Sequence, residues 1–229
     1  MPLSEVVPGR IWCSEQLLAF GPIQLATRMT LVRLADGGLW VHSPIRLSDA
    51  LREEVARLGE VRYVVAPNKG HHLFFSAFLA AFPHAQGWIA PGLAEKRPDL
   101  AHLPVLRDDT PWASELVPQF IEGLPLLNET VWFHAPSGSL ILTDLLFCVG
   151  PNPSWLVRTL GRLLGIYGKL GMSATMKLAV KDRAALAASV APLLRLPVGR
   201  VILAHDQIVV DDAKVQLSSA FAWLSTAPR

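Results

Sequence analysis

Cysteine is nearly absent. Cys13 and Cys148 stand far apart in a chain of 229 residues, too few for a disulfide framework, and they fit reduced thiols in a cytoplasmic protein. Long apolar runs are missing too. No window approaches the ~20 uninterrupted apolar residues that a membrane helix needs, so a hydrophobic content of 51% points to buried strands. No Lys/Arg block occurs, and 21 basic against 19 acidic residues leave a net charge of +2. That gives no electrostatic footprint for nucleic acid or a membrane surface. The opening MPLSEVVPGR lacks the basic and apolar regions of a secretory signal. There is no G-x-S-x-G nucleophile elbow, no P-loop and no dinucleotide fingerprint. What remains is a chain long enough to bury one large core, read as a single domain over 1–229 with a small molecule as its substrate.

The pattern of elements is α/β. Residues 29–34 (MTLVRL) and 39–42 (LWVH) are β-prone runs joined by a turn at Asp36-Gly37-Gly38, a hairpin signal. Ser48 can cap a helix that carries Leu51, Val55 and Leu58 on one face and ends at Gly59. A strand over 61–66, a helix from about His71 to Phe82 and a strand over 87–91 follow, giving β-α-β-α-β alternation. Residues 92–115 carry no clear pattern. Strands are expected at 117–121, 130–134, 139–143 and 200–204, and helices at 181–194 and about 211–224. The stretch 151–170 has apolar residues near helical spacing with Arg158, Arg162 and Lys169 between them. It could cap a pocket or form a homodimer contact.

Three places share one property. His71 and His72, Asp144, and His205 each lie just past the C-terminal end of an apolar strand, where ligands collect in layered α/β folds. Imidazole with carboxylate is a donor set that suits zinc, iron or manganese. Three histidines and an aspartate could supply four ligands, or three ligands and a base. The same residues could equally form a hydrogen-bonded polar cluster. His42, His84, His102 and His134 are read as structural, and Cys13 and Cys148 as small buried hydrophobes.

The order of these features resembles the metallo-β-lactamase fold over roughly residues 9–224. MTLVRLADGGLWVHSP has the shape of that family's opening hairpin, with His42 where an aspartate usually stands. The family's T-H-x-H-x-D-H motif aligns with Ala66-Pro67-Asn68-Lys69-Gly70-His71-His72, SGSLILTD places Asp144 at the bridging aspartate, and VILAHD places His205 at the final ligand. The resemblance implies a four-layer αββα sandwich, two mixed sheets with helices on both outer faces.

The departures from that pattern define the expected chemistry. The family's first metal uses both histidines of H-x-H and one from a later G-H-x-P-G segment. Pro67 and Lys69 replace the first two, and Glu122-Gly123-Leu124-Pro125 lacks the third. The second metal's positions carry His71, His72, Asp144 and His205. The resemblance therefore implies a mononuclear, metal-dependent hydrolase, and loops rich in Trp, Leu and Pro at about 92–116 and 145–175 suggest an apolar-walled pocket for an ester, lactone or thioester. Asp144 would serve as ligand or base, and the Lys69 ammonium would pair with it or steady a developing oxyanion. The alternative is a non-catalytic binding protein on the same fold.

Overall fold

The computed structural model describes residues 2–20, 23–151 and 154–225. The first sheet runs in chain order: β1 (Ser4–Val7), β2 (Ile11–Phe20), β3 (Ile23–Arg33), β4 (Leu39–His42), β5 (Val61–Ala66) and β6 (Gln86–Ile89). β1 to β4 pair antiparallel, while β4, β5 and β6 pair parallel. The parallel pairs need crossovers, supplied by α1 (Asp49–Leu58) and α2 (Phe75–Ala81). The Ser48 hydroxyl accepts from Leu51 N at 3.2 Å and caps α1, which stops at Gly59. α3 (Leu93–Lys96) follows β6.

The second sheet contains β7 (Leu116–Phe120), β8 (Thr130–His134) and β9 (Ser139–Leu142). α4 (Trp155–Leu163), α5 (Ala174–Ala179) and α6 (Arg183–Val190) then lead to β10 (Arg200–Leu203), β11 (Ile208–Val209) and α7 (Ala213–Phe221). The strand order is β11-β10-β9-β8-β7, with β9 and β10 parallel.

Side-chain alternation builds the layers. In β4, Leu39 and Val41 face one cluster with α1 and α2, while Trp40 faces the other sheet. β5 repeats this with Val64 and Ala66 against Val65. In β8, β9 and β10, Trp132, Ile141 and Ile202 point to the first sheet, and Val131, Leu140 and Val201 point to a cluster with α6 and α7. Because successive residues point to opposite faces and both faces are covered, these strands read as continuous apolar runs. The result is the expected helix–sheet–sheet–helix sandwich.

Indoles fill the gap between the sheets. Trp40 meets Trp132 edge-on with centroids at 5.4 Å, Trp112 lies 5.8 Å from Trp132, and Trp88 meets Trp112 at 5.2 Å. Trp112 comes from the stretch that carried no clear pattern.

The observed bounds differ from the sequence reading at several points. β1 and the whole of β2 were not anticipated. Ser14, Glu15 and Gln16 interrupt the apolar pattern of β2, yet Ser14 and Gln16 are buried. The helix expected from His71 starts at Phe75, with His71 to Phe74 forming turns before it. Residues 151–170 hold α4, and Asn152 and Pro153 of that stretch lie outside the described residues. Trp132→Ala should lower the unfolding free energy by about 3–5 kcal/mol, as large-to-small changes in a sealed core do. Urea denaturation of the two proteins checks this, and a loss under about 1 kcal/mol would show that the indole cluster does not join the sheets.

Candidate metal centre

The C-terminal ends of β4, β5, β9 and β10 meet at one edge of the sandwich. Backbone bonds fasten the two sheets there. Arg28 N donates to Ala204 O at 2.7 Å, Thr130 N to Pro67 O at 3.0 Å and Lys69 N to Leu127 O at 2.9 Å. The buried Arg28 guanidinium also donates to the carbonyls of Leu203 and Asp206 and to Glu15. The segment after β10 is thereby held against β3.

At this edge His71, Asp144 and His205 converge. His71 Nε2 lies 3.1 Å from His205 Nε2 and 3.3 Å from Asp144 Oδ2, and His205 Nε2 lies 3.1 Å from Asp144 Oδ1. The far nitrogens are held. His205 Nδ1 is 2.7 Å from Ala26 O, and His71 Nδ1 is 2.5 Å from Ser43 Oγ. A carbonyl only accepts, so His205 Nδ1 carries the proton and its Nε2 presents a lone pair when the ring is neutral. That lone pair faces a carboxylate oxygen and a second imidazole nitrogen. Such an arrangement calls for a positive charge between the donors, a shared proton or a metal cation. A tetrahedral ion with bonds of about 2.0–2.1 Å would space its ligands about 3.3 Å apart, close to the three separations here. Holding the far nitrogen of a ligating histidine on a carbonyl is also how metal sites fix ring orientation.

Charge follows the same geometry. Burial drives the Asp144 carboxyl up, but the facing His71 and His205 rings outweigh it and hold the group well below the usual carboxylate range. Burial drives His205 down, and its hydrogen bond to Asp144, that carboxylate's charge and the Ala26 carbonyl reverse the balance, so its pKa is raised.

Residues not anticipated as site residues build the support. Asn68 is fully buried. Its Oδ1 accepts from the N–H groups of Gly70 and His71, both at 2.7 Å, which shapes the turn. Its Nδ2 donates to Asp144 Oδ2 and Thr143 Oγ1, both at 2.7 Å. Glu129 lies beneath and accepts from the backbone N–H groups of Thr143, Asp144 and Leu145 at 2.6, 2.9 and 3.0 Å. Burial and the Asp144 charge raise the Glu129 pKa, opposed by hydrogen bonds from Thr143 and from the Asp144 N–H. A Cβ on Gly70 would lie 3.3 Å from both Asn68 Oδ1 and Asp144 Oδ2, so the bare backbone lets the turn sit this close. Asn68 stood in the sequence as a turn residue. Glu129 had a faint signal, an acid directly before the apolar run of β8.

Two expected members lie elsewhere. His72 does not join the donors, and the expectation of four converging side chains is revised to three. Its Nδ1 is 3.1 Å from Arg97 Nη1, and burial, Lys96 and Arg97 lower its pKa. The turn that aims His71 at the site leaves the adjacent ring beside Arg97. Nor does Lys69 pair with Asp144. Its ammonium donates to Pro125 O at 3.2 Å, while Asn68 takes the position beside the carboxylate. The histidines read as structural stay outside the donor group. His42 is buried and its pKa is lowered to about 3 by burial and by the His71 charge, His134 closes β8 against Ser137 Oγ, and His84 and His102 are exposed. Burial pushes the Cys13 thiol up to about 11 and raises Cys148 as well, which argues against a thiolate nucleophile.

Comparisons with known proteins agree with this geometry at the level of fold. The chain belongs to the family described as "Domain of unknown function (DUF4336)", whose model matches residues 8–187. Comparison with curated proteins finds no match. Among solved structures, the metallo-β-lactamase from Pontibacter korlensis superposes with a TM-score of 0.65 at 11% identity, covering 99% of each chain. The metallo-β-lactamase from Erythrobacter litoralis gives 0.61 at 14% identity over 96% of each chain. The mono-zinc form of FIM-1 from Pseudomonas aeruginosa gives 0.58 at 9% identity, over 99% of this chain and 98% of that one. The fold is thus that of the metallo-β-lactamases, at sequence identities of 9–14% to these three structures.

Asn68→Ala should weaken zinc binding about 10–100-fold, the usual loss when a group supporting a ligand is removed. Competition against a chromogenic chelator measures it, and unchanged affinity would remove Asn68 from the account.

Proposed function

We propose that this chain is a hydrolase working with one divalent ion, zinc first, held by His71, Asp144 and His205. The observation that carries the reading is the triangle of donors with its outer nitrogens already tethered. Zinc prefers such nitrogen and oxygen ligands, and catalytic zinc sites characteristically use three protein ligands and leave a position for water. Iron or manganese suits the same donors. A fourth side chain would have favoured a closed, structural site, and His72 does not provide one.

When bound, such an ion lowers the pKa of water and polarises a carbonyl or phosphoryl oxygen. The chain's own groups do the rest. Asn68 holds Oδ2 of Asp144 and so fixes the carboxylate plane. Ser43 and Ala26 fix the two rings. The side chains at the positions of the family's other ion are Pro67, which is buried, and Lys69, which bonds to Pro125 O. Neither supplies a ligand, which supports a one-ion site. An ester, lactone or thioester is the proposed substrate. The rival reading is a polar cluster joined by a shared proton, since the same three separations suit an imidazolium between a carboxylate and a second ring.

Elemental analysis after zinc loading separates the two. The expected content is one zinc per chain in the parent protein and in His72→Ala, and none in His71→Ala or His205→Ala. A parent protein that takes up no zinc, iron or manganese overturns the reading. Two ions per chain would overturn the one-ion form.

A further inference from the structure

A cavity of about 530 Å³ opens beside the donor triangle, with His205 as part of its wall. This volume falls within the roughly 300–1,000 Å³ typical of small-molecule pockets. The walls are hydrocarbon. Leu17 and Leu25 come from the β2–β3 hairpin, Phe147 from the segment after β9, Val157 and Leu164 from α4 and its end, and Met176 from α5. The Phe147 ring stacks on the His205 imidazole with centroids 5.8 Å apart and planes at 12°, so the apolar wall runs directly into the site.

The polar groups around the cavity are largely engaged. The Ser154 hydroxyl caps α4 by accepting from Val157 N, and the Ser173 hydroxyl caps α5 by accepting from Met176 N. The Asp206 carboxylate accepts from Gly150 N at 2.8 Å and Gln207 Nε2 at 2.6 Å. The roof is firmly seated. Val149 N donates to Ile166 O and Gly168 N to Val149 O, and Gly161 brings α4 close to Val149, since a Cβ there would lie 3.2 Å from that side chain. A cavity with this lining gains from a long apolar occupant and offers little to a charged one.

We propose that the cavity receives the aliphatic chain of the substrate, so that the substrate is an ester of a medium or long acyl chain with its carbonyl beside His205. This rests on the hydrolase reading above. In the reaction the acyl carbon–oxygen bond breaks, the water oxygen bonds to the acyl carbon, and the displaced alkoxide takes a proton from that water. The products are a carboxylic acid and an alcohol, and no oxidant or reductant enters.

The first measurement uses no catalysis. 11-(Dansylamino)undecanoic acid is titrated into the full chain with and without zinc, and dansyl fluorescence is read. Saturable one-to-one binding is expected, weakened at least about tenfold by Val157→Trp and by Met176→Trp, each of which fills the cavity. Thermal melts identify which variants fold. On the unmodified chain, alkanols from octanol to dodecanol should displace the probe with affinity rising roughly two- to fourfold per methylene. Absence of binding, displacement independent of chain length, or unchanged binding in a folded variant overturns the proposal. The second measurement follows p-nitrophenyl esters from acetate to dodecanoate on zinc-loaded protein, with kcat/KM expected to rise with chain length. Turnover with no such rise overturns the cavity assignment. Chain-length-dependent probe binding with no ester turned over leaves the cavity assignment standing and overturns the hydrolase reading.

Discussion

The site depends on the buried carboxamide of Asn68. Its oxygen folds the turn that follows β5, and its nitrogen reaches across to the residues that follow β9. One side chain thus joins the ends of strands from two different sheets. A carboxamide suits this position because it offers an acceptor on one side and two donors on the other. Aspartate would set a second negative charge beside Asp144 and above Glu129, in a region where burial already disfavours charge. Glu129 complements it from below by gathering three backbone N–H groups of the β9 exit. Together they fix Asp144 before any ligand arrives, and this preorganisation is what a metal or transition state can exploit.

In the proposed one-ion centre this arrangement sets three donors in place. The three side chains that converge come from the ends of β5, β9 and β10, and each is held from behind by a neutral group or by buried backbone. Lys69 and His72 flank the same turn but face outward, one to the Pro125 carbonyl and one to Arg97. The apolar cavity has His205 in its wall. The imidazole therefore stands between a polar edge and a hydrocarbon chamber, a placement suited to a substrate with one reactive carbonyl and one greasy arm.

Much of the fold was legible because both faces of most strands are covered. Runs such as LWVH, TVWFH and SLIL read as buried strands, and the hairpin turn and the Ser48 cap marked their borders. β2 escaped because its buried polar residues, Ser14 and Gln16, mimic a solvent face. For the site, the rule that chemistry gathers at strand ends singled out His71, Asp144 and His205. It could not separate His71 from His72, since a turn redirects adjacent side chains by angles that spacing does not encode. Asn68 and Glu129 act through contacts with residues up to 76 and 61 positions away, respectively, so no local pattern distinguishes them from a turn residue and a strand-end acid.

The most direct test of a one-ion centre is anomalous diffraction above and below the zinc edge from crystals grown with zinc. One anomalous peak within bonding distance of His71 Nε2, His205 Nε2 and the Asp144 carboxylate is the predicted result. No peak at that position, or a second peak beside Lys69, would contradict it.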